Sequence, residues 1–407
     1  MSSFRDAGVA PTPLSASVAG HINLILDTIR AEMSMDIAFL AEFHEAARVF
    51  RGVSARVENP PIRAGDIHPL GAGYCLKVVE GALPEVIPDT ADVPLTAEIP
   101  ATADVPIGAH LSVPVKLADG QIYGTLCCFS FQARPNLGNA QLFLLRRLAD
   151  LMASMLAADV STQKKRTRAR KLVETALAAG DPGIVFQPIV NLKTRAITGF
   201  EALSRFRTEP QRSPDKWFAD ADFAGIGSRL ELIAAHRAMS ESRILPRDMS
   251  ININLSPKTI LTSNLEPLLS LIDPRFLVIE ITEHAAVDNY DDLQAALRAM
   301  RQRGVRIAID DAGAGYASLQ HILKLEPDVI KFDTSLTRGI DTDPSRIAMI
   351  SALTEYARRT KSTVVAEGVE TPEEERTLRE LGVHKGQGYL FSRPKPAGEF
   401  RGVAKAG

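Results

Sequence analysis

The second half of the chain constrains the fold most, because strand-like and helix-like segments alternate there from Gly183 onward. Helical patterns such as Asp291–Arg303 and Pro344–Thr360 separate most of the strand-like runs. Repeated βα units of this length predict a (β/α)₈ barrel. The first two runs are joined by Asn191–Arg195, which is too short for a helical crossover, so they should pair antiparallel. The predicted strands are Ile184–Val190, Ala196–Leu203, Ser250–Leu255, Leu277–Ile281, Arg306–Asp310, Val329–Phe332, Thr363–Ala366 and Lys385–Leu390.

Polar residues recur near the ends of these strands. Each by itself could cap a strand or form a salt bridge, but in such barrels the C-terminal strand ends form one face, where active sites lie. Carboxylates together with one Asn make an oxygen-rich site suited to Mg²⁺ or Mn²⁺, and two such ions can promote an in-line phosphoryl displacement. The residues are Glu201, Asn254, Glu280, Asp310, Asp311, Lys331, Asp333, Glu367 and, on the eighth predicted strand, Gln387.

The pair of adjacent carboxylates that ends the fifth strand is the sharpest local signal. Asp310 and Asp311 follow a β-branched run and precede Gly313. By themselves they would be read as a surface turn, but adjacent acids repel each other unless a cation or proton compensates. No His or Cys stands at the strand-end positions, which disfavours zinc. No glycine-rich loop followed by Lys and Ser or Thr is present, which argues against nucleotide hydrolysis of the P-loop type.

Composition places the chain among soluble globular proteins. Its 407 residues suggest two domains, with 45% apolar and 24% charged residues. A net charge of −2 argues against binding a nucleic acid polymer but permits a small nucleotide. The N-terminal residues lack the apolar region of a signal peptide, and no apolar run approaches about 18 residues, so we expect a cytoplasmic protein without membrane contact. Cys75, Cys127 and Cys128 are too few for a disulfide framework, and packing in a buried core is their expected role.

The first half has a different order of elements after a loose leader, residues 1–14. Residues 84–106 are proline-rich, and Thr90–Pro94 recurs there as Thr102–Pro106, which we interpret as a loop and not a repeat architecture. The other predicted elements are a helix Ser15–Met33, a hairpin of Ile37–Phe43 and Ala47–Val53, a short helix Tyr74–Val79, and a hairpin of His110–Leu117 and Gly124–Phe131.

This order of elements, with four short motifs, resembles a GAF domain over residues 15–158. The motifs are Gly73–Cys75, Ile107–Leu111, Val113–Val115 and Asp119–Cys127. The resemblance implies an α/β sensor domain that binds a small ligand or serves mainly in dimerisation. No ligand is identified by the sequence. Cys75 would suit attachment of a chromophore, but a packed cysteine is the favoured interpretation.

One long helical pattern runs from Asn139 to about Ala179, and residues 159–180 are assigned as a helical linker. Its apolar residues Leu145, Leu148, Met152 and Met155 form a short coiled-coil-like seam. The basic cluster 164–171 is read as a solvated helix face, with nucleic acid or membrane contact as the weaker alternative. The helix would carry a signal between the domains, across a dimer.

Seven separated motifs in the second half resemble the EAL domain family, the cyclic di-GMP phosphodiesterases. The likeness covers about residues 170–400, and the domain is assigned to residues 181–407. The motifs are Gln187–Ile189, Glu201–Arg205, Asn254–Pro257, Glu280–Glu283, Lys331–Asp333, Ala366–Glu370 and Gln387–Phe391.

The resemblance implies a homodimeric hydrolase that opens cyclic di-GMP to linear pGpG with two divalent cations, Mg²⁺ or Mn²⁺. By resemblance, one cation is held by Glu201, Asn254, Glu280 and Asp310, and the second by Asp310, Asp311 and Glu367. By resemblance, Lys331 contacts the attacking water, and Gln387 belongs to the same water network. The residues implied to contact the substrate are Gln187, Glu201, Leu203 and Arg205. Glu283 would anchor the loop after Asp311, and the further site candidates are Asp333 and Glu370.

One departure from the family pattern concerns regulation. Ala312 follows the Asp pair where the family usually has Phe, which could loosen this loop. All predicted metal ligands are present, so an active enzyme is favoured over a catalytically silent cyclic di-GMP receptor. A phosphodiesterase for another dinucleotide is a weaker alternative. Synthesis of the nucleotide is not expected, because no Gly-Gly-Asp-Glu-Phe motif occurs.

Overall fold

The computed structural model describes residues 14–282, 287, 289–313 and 316–402, without the side chains of residues 316–318. The predicted leader therefore lies almost entirely outside the described residues. The chain divides into two compact units between Lys165 and Arg166. Among the described residues, no helix has both the length and the apolar character needed to cross a membrane.

The first unit is built around an antiparallel six-stranded sheet, ordered β3-β2-β1-β6-β5-β4. The two hairpins and the short helix lie where the sequence predicts them. The strands are β1 Ile37–Phe43, β2 Ala47–Ala55, β3 Ile67–Pro69, β4 Val86–Ile87, β5 Ala109–Lys116 and β6 Ile122–Ser130, and the helices are α1 Ala16–Glu32, α2 Tyr74–Val79, α3 Pro100–Asp104 and α4 Asn139–Ala178. The last turns of α4, from Arg166 onward, belong to the second unit.

Each face of this sheet has its own core. Leu26 of α1 and Met152 of α4 are fully buried on one face, and Phe50 and Cys75 are buried on the other. Because successive strand residues point to opposite faces, Cys127 joins the α2 side and Cys128 the α1 side.

The prediction of a coiled-coil-like seam on α4 is wrong, because residues of this seam pack inside their own unit. Leu145 and Met152 are fully buried against the sheet of their own unit, and Leu148 is partly buried in the same cluster. The spacing of three and four residues therefore reflects a helix face that covers a sheet.

The proline-rich segment is more regular than the loop that the sequence analysis expects. A third copy of the motif, Thr96–Pro100, lies between the two recognised copies, so the period is six residues. Thr96 Oγ1 donates to the carbonyl of Thr90 at 2.8 Å, and Thr102 Oγ1 donates to that of Thr96 at 2.6 Å. Short helical turns and α3 occupy the segment because these hydroxyls satisfy backbone carbonyls that a strand or long helix would otherwise pair.

The second unit is a closed barrel in which β7 runs antiparallel to both its neighbours, as predicted for the first strand pair. The remaining neighbours are parallel. The strands are β7 Gly183–Asn191, β8 Ile197–Arg205, β9 Ser250–Asn254, β10 Leu277–Ile281, β11 Arg306–Ala312, β12 Val329–Phe332, β13 Thr363–Ala366 and β14 Lys385–Gly386. The helices are α5 Pro214–Phe223, α6 Gly227–Glu241, α7 Pro257–Thr262, α8 Glu266–Leu269, α9 Tyr290–Gln302, α10 Tyr316–Leu325, α11 Thr334–Thr337, α12 Pro344–Thr360 and α13 Pro372–Glu380.

The eighth strand is shorter than predicted, and Gln387 follows it instead of lying on it. The chain turns here because Gly388 approaches the backbone of Val369 closely. A Cβ atom at Gly388 would lie 2.1 Å from the carbonyl oxygen of Val369, so only glycine allows this approach.

Candidate active site

The polar residues of the barrel form a layer directly above an apolar one. A small buried cluster comprises Ile189, Val278, Ala308, Val329 and Val365, one residue from each of five strands. Side chains two positions apart on a strand share a face, so the next layer contains Glu280, Asp310, Lys331 and Glu367. Because β7 runs in the opposite direction, its contribution to that layer is Gln187, two residues before Ile189.

Lys331 is the centre of this layer and is fully buried. Its Nζ atom lies 2.6 Å from Glu367 Oε1, 2.9 Å from Glu280 Oε2, 3.0 Å from Asp310 Oδ1 and 3.3 Å from Glu201 Oε2. Burial by itself lowers the pKa of Lys331, but the surrounding carboxylates outweigh burial and raise this pKa well above its ordinary value. The ammonium group is therefore the positive charge around which the acids gather.

The acids around Lys331 are crowded and removed from solvent. Burial raises the pKa of Glu280 to about 8. Burial also raises the pKa values of Asp310 and Glu367, and the neighbouring carboxylates add to the shift. The single positive charge of Lys331 does not balance the negative charges of these carboxylates, so the site favours the binding of further cations.

The five acids form two overlapping sets with the spacing of metal ligands. Glu201, Glu280 and Asp310 form one set, and Asp310, Asp311 and Glu367 form the other. Within each set, one oxygen from each residue lies within 4.8 Å of the others. Asp310 belongs to both sets, which is the arrangement expected of a carboxylate shared by two neighbouring cations.

Consecutive residues face one site here because β11 is irregular at its end. The β11–β12 ladder shifts register between Ile309 and Ala312, and Asp311 has a positive φ of 56°. Such a backbone conformation is uncommon for a residue other than glycine and reorients the side chain relative to a regular strand. Ala312, the departure from the family pattern, is fully buried.

Amide side chains connect the acids to the rest of the barrel. Gln387 Nε2 donates to Gln187 Oε1 at 3.0 Å and to Glu201 Oε2 at 2.5 Å. Asn254 Nδ2 donates to Glu201 Oε1 at 3.4 Å. Asn252, which the sequence analysis overlooked, donates to Glu280 Oε1 at 2.7 Å. Asn252 could have been identified from its position two residues before Asn254, because residues two apart on a strand point to the same face.

A cavity of about 340 Å³ opens above these groups. Seven of the residues that line it are site candidates predicted from the sequence: Gln187, Glu201, Leu203, Asp310, Glu367, Glu370 and Gln387. Tyr389 belongs to the recognised motif Gln387–Phe391, whereas Thr334 and Arg338 were not predicted. The guanidinium of Arg338 forms an ion pair with Glu370. Thr334 and Arg338 lie outside the strands and outside the recognised motifs, so no sequence pattern indicated them.

Of the remaining predicted residues, Arg205 and Asp333 lie apart from the carboxylate cluster. Arg205 is exposed and lines a second cavity of about 650 Å³, with Asn254 and the largely apolar surface of α5 and α6, while Leu203 lines both cavities. Asp333 caps α11 by accepting a hydrogen bond from the amide of Ser335 at 2.8 Å. Glu283 lies outside the described residues.

Comparison with known proteins identifies both halves of the chain. The EAL domain family matches residues 170–394, and the GAF domain family matches residues 15–157. The probable cyclic di-GMP phosphodiesterase PdeI of Escherichia coli K12 is 32% identical over 238 residues, which cover 55% of this chain and 30% of the relative. The chain thus spans about a third of the length of the curated relatives that it matches first.

Two of the solved structures that resemble this chain each cover more than half of it. An EAL domain protein from Listeria monocytogenes EGD-e is 30% identical with a TM-score of 0.51, covering 56% of this chain and 95% of the other. The PaMucR phosphodiesterase, solved in complex with c-di-GMP, is 27% identical with a TM-score of 0.52, covering 57% of this chain and 99% of the other. The barrel, its carboxylate layer and these matches together show that the chain belongs to the EAL domain family and carries a GAF domain before its barrel.

Proposed function

We propose that this chain hydrolyses cyclic di-GMP to linear pGpG by a mechanism that uses two divalent cations. The observation that carries the proposal is the pair of carboxylate sets that share Asp310 around the buried Lys331. Relatives named as cyclic di-GMP phosphodiesterases support the choice of substrate.

The donor set fits the proposed cations. Two divalent ions together with Lys331 would balance the charge of the five carboxylates. Glu201, Asn254, Glu280 and Asp310 would hold one ion, and Asp310, Asp311 and Glu367 the other. When bound, such ions lower the pKa of a coordinated water and stabilise charge on the leaving oxygen. Mg²⁺ and Mn²⁺ both suit an all-oxygen site.

The chain's own residues would orient the reactants. The Lys331 ammonium, once its carboxylates are engaged elsewhere, can donate a hydrogen bond to the attacking water and offset negative charge in the transition state. Gln387 holds the carboxylate of Glu201 by donating to it, and Gln187 fixes the amide of Gln387 by accepting its second hydrogen bond. Tyr389 is half exposed and has Arg393 over its ring at 4.2 Å, which offers a stacking surface for a nucleobase.

A homodimer regulated by the GAF domain is part of the proposal. Leu319 and Leu323 on α10 are 44% and 67% exposed, and Phe143 and Leu151 on α4 are 60% and 51% exposed. Apolar side chains with this exposure gain free energy when a partner covers them. Light scattering should give twice the chain mass, and Leu323→Glu should reduce the dimer fraction.

The test is chromatographic product analysis of the full-length protein with cyclic di-GMP and Mg²⁺, Mn²⁺ or EDTA. We expect pGpG with either metal and intact substrate with EDTA. Glu201→Gln should abolish turnover, whereas Glu380→Gln, an exposed change at the end of α13, should not. Tight binding of intact cyclic di-GMP in every metal would instead show a silent receptor, and turnover of other cyclic dinucleotides at equal rates would refute the specificity.

A further inference from the structure

The GAF domain buries the guanidinium group of one arginine, Arg48. Arg48 on β2 is 5% exposed, and no Asp or Glu among the described residues forms an ion pair with it. Space for it exists because residue 73 is glycine, where a Cβ atom would lie 1.9 Å from Arg48 Nη1. Burying an unpaired charge is costly, so a counter-charge is expected nearby.

The guanidinium group of Arg48 forms a hydrogen bond with a thiol. Arg48 Nη1 donates to Cys75 Sγ at 3.4 Å, and Cys75 is 1% exposed at the start of α2. The hydrogen bond from Cys127 and the charge of Arg48 outweigh burial and lower the pKa of the Cys75 thiol to about 6. A thiolate at Cys75 thus supplies the counter-charge, and a thiolate is the reactive form of cysteine.

A second thiol lies within reach of the first. Cys127 Sγ on β6 is 3.7 Å from Cys75 Sγ and 3.0 Å from Ser112 Oγ. The sulfurs would have to approach by roughly 1.7 Å to reach the ~2.05 Å of a disulfide. Cys128, the next residue, points to the other face of the sheet, where its Sγ lies 3.9 Å from Met33 Sδ.

We propose that Cys75 and Cys127 are a redox-active dithiol that a small hydroperoxide converts into a disulfide. The Cys75 thiolate attacks the peroxide oxygen, giving a sulfenic acid and releasing hydroxide, or the alkoxide of an organic peroxide. Cys127 then attacks the sulfenic sulfur, which forms the disulfide and releases water, so two thiols are oxidised and one peroxide is reduced. The bond would join α2 to β6 across one face of the sheet.

Other uses of this pair fit the surroundings less well. The guanidinium beside Cys75 repels a metal cation, and two sulfurs do not complete a metal site. Among the described residues, Arg48 is the charged side chain that acts on Cys75, and it also acts on the imidazoles of His68 and His110. Tyr74 precedes Cys75 and contacts the ring of His110. Burial and Arg48 lower the pKa of His110 to about 3, so this residue stays neutral and adds no competing charge.

The test uses reduced full-length protein treated with a small excess of hydrogen peroxide, then denatured and alkylated. Wild type should take up one alkyl group where the untreated protein takes up three, and peptide mapping should find Cys75 joined to Cys127. Cys128→Ser, the matched control, should form the same bond and leave no free thiol. Cys75→Ser and Cys127→Ser should form none.

The role of Arg48 is tested by rate. Arg48→Gln should slow disulfide formation at least tenfold at pH 7, because the thiolate loses its counter-charge, and circular dichroism should show that the variant is folded. In wild type the rate should reach half its maximum near pH 6. Three alkyl groups after peroxide treatment, a bond involving Cys128, or sulfinic acid at Cys75 without a disulfide would overturn the proposal. The experiment does not depend on the activity of the barrel.

Discussion

At the scale of single residues, the balance of charge around Lys331 governs the barrel. Four carboxylates lie within 3.3 Å of its Nζ atom, and the lysine has no exposure to solvent. Removing one partner of a buried ionic network leaves the others uncompensated, which is more costly than losing an exposed pair. Lys331 therefore has a structural role in addition to its proposed role in hydrolysis.

Lys331→Met should lower turnover of cyclic di-GMP at least 100-fold, because the group that would donate to the attacking water is lost. In EDTA it should also destabilise the fold by about 3 kcal/mol, since the crowded carboxylates lose the buried ammonium group that pairs with four of them. Added Mn²⁺ should recover most of that stability but not the turnover. Lys395→Met, which removes an exposed lysine paired with Glu399, is the control. Steady-state kinetics and thermal melts measure both effects, and unchanged turnover would refute the catalytic role.

At the scale of elements, the loop after β13 is held in place by a helix that follows it. Glu374, in the first turn of α13, accepts hydrogen bonds from the amides of Gly339 at 2.9 Å, Glu370 at 2.8 Å and Thr371 at 3.1 Å. Thr371 and Glu374 also form a capping box that begins the helix. This anchoring fixes the loop that starts at Glu367, one of the proposed metal ligands.

Glu374→Gln should destabilise the protein by about 1–3 kcal/mol at pH 7, since an amide replaces a charged acceptor of backbone donors. Burial opposes ionisation of this carboxyl, but the three amides outweigh burial and lower its pKa. A lowered folded-state pKa contributes stability above the unfolded pKa of about 4.3 and loses it as pH falls, so the difference should shrink at lower pH. Urea unfolding at pH 7 and pH 4 measures it. Glu373→Gln, an exposed change in the same turn, should have little effect, and a pH-independent difference would contradict the assignment.

At the scale of the whole molecule, the two units have separate hydrophobic cores. The GAF domain has one cluster on each face of its sheet, and the barrel has a large cluster between its strands and helices. All five of the clustered acids belong to the barrel. A ligand that binds only the folded barrel should therefore stabilise that unit selectively.

Calorimetry of the full-length protein should show two unfolding transitions, and Mn²⁺ should raise the midpoint temperature of only one of them. At a concentration 100 times its dissociation constant, the metal adds about 2.7 kcal/mol to the unfolding free energy of the barrel. Leu26→Ala, in the GAF core, should lower the midpoint temperature of the other transition, because it truncates a fully buried side chain. Asp310→Asn should abolish the metal effect because this residue belongs to both carboxylate sets. Metal-induced shifts of both transitions would mean that the units unfold together.

What the sequence by itself determined was the set of elements and the residue types at their ends. Strand and helix periodicity predicted the barrel and both GAF hairpins, and the short connection Asn191–Arg195 predicted the antiparallel first pair, because these signals depend on neighbours within a few positions. The same reasoning placed the acids near strand ends. It overextended the eighth strand, where the close approach of Gly388 to Val369 ends the ladder.

Only the tertiary structure decided which of these residues meet. Closure of the barrel brings Glu201, Glu280 and Asp310 from three strands, and Glu367 from the residue after a fourth, onto one ammonium group, although up to 166 positions separate them in sequence. Packing also places the apolar face of α4 against the sheet of its own unit. It places Cys127 beside Cys75, which is 52 positions away in sequence. Such contacts depend on the register and closure of whole sheets, which no local pattern encodes.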